Sequence, residues 1–246
     1  MQVIEAVKNR LEIELQWQCL WLVIHLIFDM NSLLLNTERL HSVVFEEKPG
    51  HYSKKHSWQM KSLVLGRKVL EASQILTDIL QLPMFKEKLV EESPRKLKEL
   101  FPIAAFMPDL EKWIPHLQKF SILFEVDISS GTVYFEMKTN RHKEFFSLSD
   151  DSILGGDPKA KIGKPDPDFF LSYTRMFALP HSMEKCLVLD DAPHRVEAAI
   201  AAGMQVGMIP DGNLSQDLTR KAILVLSSLQ DFQSELFPTR EGTMLP

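Results

Sequence analysis

The chain places a carboxylate directly after an apolar run in the stretch Trp21-Leu22-Val23-Ile24-His25-Leu26-Ile27-Phe28-Asp29. An apolar run of this length predicts a strand that is buried on both faces of a parallel sheet. Open α/β sheets bind their ligands outside the carboxyl ends of the strands. Asp29 is therefore a candidate nucleophile and a candidate metal ligand.

Length and composition limit the classes of protein to consider. The 246 residues, 45% of them hydrophobic, can bury a full core as one domain with an insertion or as two small domains. A net charge of -5 gives no basic surface, so we expect no nucleic-acid partner. The apolar segment 17–28 is too short to span a bilayer, so we expect no membrane association. Two cysteines in apolar contexts, Cys19 and Cys186, favour a reducing compartment, and we expect a cytoplasmic protein.

Strand-like runs alternate with helical periodicity along the chain. The runs lie at 21–28, 121–126, 185–190, 205–209 and 222–226. This alternation predicts an α/β fold, with a parallel sheet covered by helices on both faces. The interval 37–105 contains no strand candidate and has helical spacing of its apolar residues, so we expect a helical cap there. The core is then formed by 21–36 and 106–246, and residues 1–20 form an extension of unknown role.

Two later segments carry groups suited to a phosphate or a metal ion. Lys164 lies in the segment 163–168, beside two prolines, where a solvated turn is the alternative interpretation. Asp190 and Asp191 end the strand-like run 185–190, where the alternative is a polar cap for the following helix. Adjacent carboxylates at a strand end are typical of a metal site or a hydrogen-bond network.

Taken in order, these segments resemble those of the haloacid dehalogenase-like phosphatases. The similarity runs from Leu26 to about Phe237 and is closest in the segments 61–64, 82–84, 137–139, 141–146, 183–188 and 201–206. The resemblance implies a Rossmann-like core with an inserted helical cap. It also implies a Mg2+-dependent phosphomonoesterase that acts on a small nucleotide-like monophosphate. We expect a monomer.

The resemblance also assigns roles by position. Asp29 would attack phosphorus, and Mg2+ would be bound by Asp29, by the backbone carbonyl of Asn31 and by Asp191, with Asp190 supporting the metal site. Lys164 would neutralise the phosphate, as a compact ammonium group can. The remaining implied substrate-binding residues are Ser129, Ser130, Gly66, Arg67 and Lys68.

Several positions depart from the family pattern. Asn31 stands where the family has an acid/base aspartate, and an amide cannot exchange protons near neutral pH. Ser32 replaces a glycine, at a position where the loop favours a backbone conformation that a side chain disfavours. Ile128 replaces a threonine and Arg195 also departs from the pattern.

The same strand as Ile128 carries two unexpected carboxylates. Glu125 and Asp127 either place costly charges inside the sheet or mark a solvated edge strand. Together with Asn31, these departures leave two hypotheses open. The protein is either a slowed phosphomonoesterase or a catalytically inert phosphatase-like protein, which includes a poorly folding one.

Overall fold

The chain forms a six-stranded parallel sheet with the order β3-β2-β1-β4-β5-β6. The computed structural model describes residues 23–37, 39–40, 74–75, 77–79, 95–108, 110, 113, 115, 117, 122–128, 132–149, 152–154, 170 and 182–231. The strands are β1 (His25–Asp29), β2 (Leu123–Ile128), β3 (Ser152–Leu154), β4 (Cys186–Asp190), β5 (Gln205–Met208) and β6 (Leu224–Val225). The α/β fold that the sequence predicted is therefore confirmed.

The α-helices whose bounds the structure describes are α1 (Thr132–Thr139), α2 (Lys143–Phe146) and α3 (Pro193–Ala201). Short 3-10 turns occupy Phe101–Ile103, Met183–Lys185, Gln216–Leu218 and Leu229–Asp231. Helix α3 begins with a proline, whose fixed φ suits a first helical position. The helix ends at Ala201, and the chain turns away two residues later at Gly203, whose φ is 81°. The amide of Gly203 donates to the carbonyl of Ile200, and that of Met204 to Ala199, so a glycine closes the helix with a Schellman motif.

The two faces of the sheet are buried in two separate apolar clusters. In β1, Leu26 and Phe28 contribute to one cluster, and Ile27 contributes to the other. Phe28 packs edge-on against Trp113 and Phe124, with ring centroids 6.2 and 6.4 Å apart. Because successive side chains point to opposite faces of a strand, a run that is apolar throughout is what a doubly covered strand requires.

The sequence predicted five of the strands within a few residues and missed β3. This strand has only three residues and lies at the edge of the sheet, so it carries little apolar signal. The helical cap stays a prediction: the described backbone at 39–40, 74–75, 77–79 and 95–100 is helical, and the rest of 41–94 lies outside the described residues. The extension 1–20 lies outside them too.

The solvated-edge interpretation of Glu125 and Asp127 is wrong. Strand β2 lies between β1 and β3, and the two side chains are 2% and 0% exposed. The strand ends at 128 rather than at 126, so Asp127 belongs to its carboxyl end. Within the described part of the chain, no helix is both long enough and apolar enough to cross a membrane.

Candidate active site

The carboxyl ends of the three central strands bring three aspartates together. Asp29 ends β1, Asp190 ends β4, and Asp127 pairs in register with Asp29 across β1 and β2. All three side chains are buried, and they present oxygens that lie within 4.8 Å of one another. The strand order reverses between β1 and β4, which is where open α/β sheets bind their ligands. Asp29 and Asp190 therefore lie at the same edge of the sheet.

The chain turns sharply after β1. The amide of Met30 donates to the carbonyl of Asp127 at 3.1 Å, and the amide of Leu35 donates back to Met30 at 2.9 Å. Ser32 adopts a φ of 66°, in the left-handed region that disfavours a side chain. The sequence-based expectation of a strained position after Asn31 is therefore confirmed.

One guanidinium joins three carboxylates of this site. Arg195 lies in the first turn of α3 and is 2% exposed. Its Nη1 donates to Asp29 Oδ1, its Nη2 donates to Asp191 Oδ1 at 3.2 Å, and its Nε lies 3.1 Å from Asp190 Oδ1. Asp190 is also oriented by the amide of Ala192, which donates to Oδ1 at 2.9 Å.

The surrounding charge keeps this guanidinium protonated. Burial acts to lower the pKa of Arg195, but the opposing influence of Asp190, Asp29, Asp191 and Asp127 prevails, and the pKa is held well above its ordinary value. A charge-assisted fork of this kind is stronger than a contact between neutral groups. The nucleophile candidate Asp29 is therefore engaged in an internal ion pair.

These contacts bear on the magnesium ion that the resemblance implies. Carboxylates are the ligands that Mg2+ prefers, and the spacing of Asp29, Asp127 and Asp190 suits a small cation. Mg2+ binds its oxygens at about 2.0–2.1 Å in near-octahedral geometry. Arg195 already contacts oxygens of Asp29, Asp190 and Asp191. The residues present do not fit Mg2+ while the guanidinium holds this position.

Asn31 is held by two donors rather than by the solvent. Lys138 Nζ donates to Asn31 Oδ1 at 2.8 Å, and Thr37 Oγ1 donates to the same oxygen at 2.7 Å. Lys138 is 2% exposed, and its ammonium lies 4.5 Å from the centroid of the Phe101 ring. A buried cation thus meets a neutral amide oxygen at the position where the family has a carboxylate.

The second unexpected carboxylate of β2 meets a histidine. Glu125 Oε1 lies 3.4 Å from His25 Nε2, and both side chains are buried. Cys186 is opposite His25 in the register of β1 and β4. Burial, and secondarily the charge of Glu125, raises the pKa of the Cys186 thiol to about 12. The thiol is therefore neutral and a poor nucleophile at physiological pH.

The structure brings together only part of the predicted site. Asp29, Asn31, Asp190 and Asp191 lie at one end of the sheet. Six predicted residues lie outside the described part of the chain: Lys164, Ser129, Ser130, Gly66, Arg67 and Lys68. The side chain of Ile128 lies outside it as well.

The sequence assigned no role in the site to three further residues, although Asp127 and Arg195 were visible as departures from the family pattern. Asp127, Lys138 and Arg195 enter the site from β2, α1 and α3. One signal was present for Arg195, because it follows Asp191 by four residues, a spacing at which helical side chains meet.

Comparisons with known proteins show that the chain is similar to phosphatases. A (DL)-glycerol-3-phosphatase of Arabidopsis thaliana is 38% identical over 216 residues, covering 87% of this chain and 72% of the relative. A probable pseudouridine-5'-phosphatase of Drosophila melanogaster is also 38% identical, covering 87% of this chain and 94% of the relative. A haloacid dehalogenase-like protein of Agrobacterium tumefaciens shares the fold with a TM-score of 0.72 at 19% identity, over 85% of this chain and 95% of that one. No protein-family model matches the chain.

Proposed function

The chain belongs to the haloacid dehalogenase-like phosphatases, and from this premise we propose that it is an impaired phosphomonoesterase acting on a small nucleotide-like monophosphate. One observation carries the proposal. Asp29 ends β1 among buried carboxylates, and Asn31 occupies the acid/base position two residues later. The nucleophile is kept and the proton donor is lost.

The proposed reaction has two halves, and each needs a proton transfer. The Asp29 carboxylate forms a bond to phosphorus while the ester P–O bond breaks, so the leaving oxygen must receive a proton. Water then attacks the aspartyl-phosphate and must lose a proton. Asn31 can do neither, and the loss of positioned proton transfer costs about 10²–10⁴ in rate. This corresponds to about 3–5 kcal/mol of barrier.

The substrate class rests on the relatives and on the resemblance. The relatives are named for glycerol 3-phosphate and for pseudouridine 5'-phosphate, both small phosphomonoesters. In this proposal, Lys164 neutralises the phosphate, and backbone donors near Ser129 and Ser130 hold it. The segment Gly66-Arg67-Lys68, in the proposed cap, contributes to the choice of substrate. We propose a monomer.

A second candidate function is favoured by the ion pair between Arg195 and Asp29. A carboxylate oxygen that accepts a hydrogen bond from a guanidinium is a weaker nucleophile than a free one. In this second candidate function, the protein is catalytically inert and keeps only the phosphatase fold.

Phosphate release from pseudouridine 5'-monophosphate and from glycerol 3-phosphate distinguishes the two candidates. We compare the wild type with Asn31→Asp, in the native background and with Arg195→Ala, and use Asp29→Asn as the blank. A rise of about 10²–10⁴ in the native background supports the impaired enzyme. A rise only with Arg195→Ala supports the inert candidate.

No rise in either background overturns the phosphatase proposal. Since an Asn-Ser pair can deamidate to restore an aspartate, the intact mass of each assayed sample is the control.

A further inference from the structure

We propose that Arg195 is the built-in cation of this site and takes the place of a divalent metal ion. The inference rests on the proposed function only for the location of the site, because its test measures metal binding rather than turnover. The three polar nitrogens of one side chain contact Asp29, Asp190 and Asp191. These are the carboxylates that the resemblance assigns to the metal.

The geometry of the Arg195 guanidinium explains how one side chain can contact three carboxylates. Asp29 comes from β1, Asp190 from the end of β4, and Asp191 from the residue after it. A guanidinium is planar and rigid and presents its donors in fixed directions. The backbone of Arg195 lies in the first turn of α3, which begins two residues earlier at Pro193. The guanidinium therefore lies at the carboxyl ends of β1 and β4.

The charges of the site favour a cation there. Asp29, Asp127, Asp190 and Asp191 bring four buried carboxylates to one end of the sheet. Such a cluster inside a protein is unfavourable unless a positive charge lies within it. Arg195 supplies one positive charge from the chain itself, in direct contact with three of these four carboxylates.

The same contacts exclude a metal ion. A divalent ion must bind the oxygens that Arg195 contacts, and the guanidinium must then leave a position in which it is 2% exposed. Leaving breaks a buried ion pair with three carboxylates, and an ion pair of this kind is costly to break. We therefore expect Arg195 to weaken divalent-cation binding by on the order of 10²-fold or more.

The test measures binding of Mn2+ alone, by the loss of the free-ion EPR signal, in the full chain. We expect no Mn2+ bound at this site in the wild type. Arg195→Ala, which opens the position, is expected to bind about 10²-fold more tightly, and adding Asp190→Asn should abolish this gain. Arg195→Met removes the charge but fills part of the space, and it is expected to bind less tightly than Arg195→Ala.

Arg220→Ala is the matched control, because Arg220 is exposed and pairs with Asp217 on the surface. It should leave Mn2+ binding unchanged. The proposal is overturned if the wild type binds Mn2+ with an affinity within tenfold of that of Arg195→Ala and if Asp190→Asn abolishes this binding. A folded Arg195→Ala that binds no Mn2+ overturns it too.

If Arg195→Ala does not fold, the wild type alone decides. A thermal midpoint that rises with Mg2+ in the wild type, but not in Asp190→Asn, overturns the proposal, since only a ligand of the native state stabilises it. A midpoint that is unchanged by Mg2+ supports it.

Discussion

Replacing Arg195 by methionine tests how strongly the buried ion pair holds the fold. Methionine keeps the unbranched lower part of the side chain and removes the charged guanidinium. Asp29, Asp190 and Asp191 then lose a common partner inside the protein, where the arginine is 2% exposed. Removing one member of a buried ion pair costs about 3–5 kcal/mol, because the other charges stay buried without it.

That loss is a large share of the stability of the protein. Domains unfold with a free energy of about 5–15 kcal/mol, so Arg195→Met should remove about a fifth of it or more. For a chain of this size, the thermal midpoint should fall by roughly 6–20 °C. The contribution should not depend on Mg2+, because Arg195 rather than a metal supplies the positive charge.

Urea unfolding in EDTA, followed by circular dichroism, measures this loss. Arg220→Met is the matched control, since Arg220 is exposed and its pair with Asp217 lies on the surface. Such a surface change is expected to stay within about 0.5 kcal/mol. A loss below about 1 kcal/mol for Arg195→Met, comparable to the control, would refute the assignment of Arg195 as the partner of the buried carboxylates.

Three further changes probe the neighbouring structure. Asn31→Asp should raise the free energy of unfolding by about 1 kcal/mol in urea titrations, because Lys138 and Thr37 would donate to a charged rather than a neutral oxygen. An unchanged free energy of unfolding would contradict these two hydrogen bonds. Ser32→Gly should stabilise by up to about 1 kcal/mol by relieving the positive φ, whereas Gly203→Ala, at the other positive φ, should destabilise by about 1–2 kcal/mol. Cys186 should resist thiol reagents at pH 8 in a Cys19→Ser background, since burial raises the pKa of its thiol to about 12. The unfolded thiol loses its proton first, so stability should fall as the pH rises from about 8.5 towards 12, and Cys186→Ala should flatten that decline.

Much of the fold could be predicted because its signals are local. The apolar run that ends at Asp29 identified a strand that is buried on both faces, and β4 was recognised in the same way. Strand β3 was missed because a three-residue edge strand has no such run. The apolar run of β2 stops at 126, and the strand continues through Asp127 to Ile128.

The site could be predicted only in part. A carboxylate at a strand end is visible in the sequence, and so is the replacement of a carboxylate by Asn31. Lys138 lies 107 residues from Asn31 along the chain, and no local pattern links the two. Arg195 departed from the family pattern in the sequence, but nothing there indicated that its charge lies on Asp29.

The sequence by itself predicted the class of fold and a nucleophile candidate, because these depend on residue type and on periodicity along the chain, and the resemblance added the prediction that Asn31 replaces a proton donor. Only the tertiary structure decided which charge balances the buried aspartates. An ion pair between residues 166 apart depends on strand order and on where a helix begins. Strand order and helix position arise from the packing of the whole sheet, and no single segment encodes them.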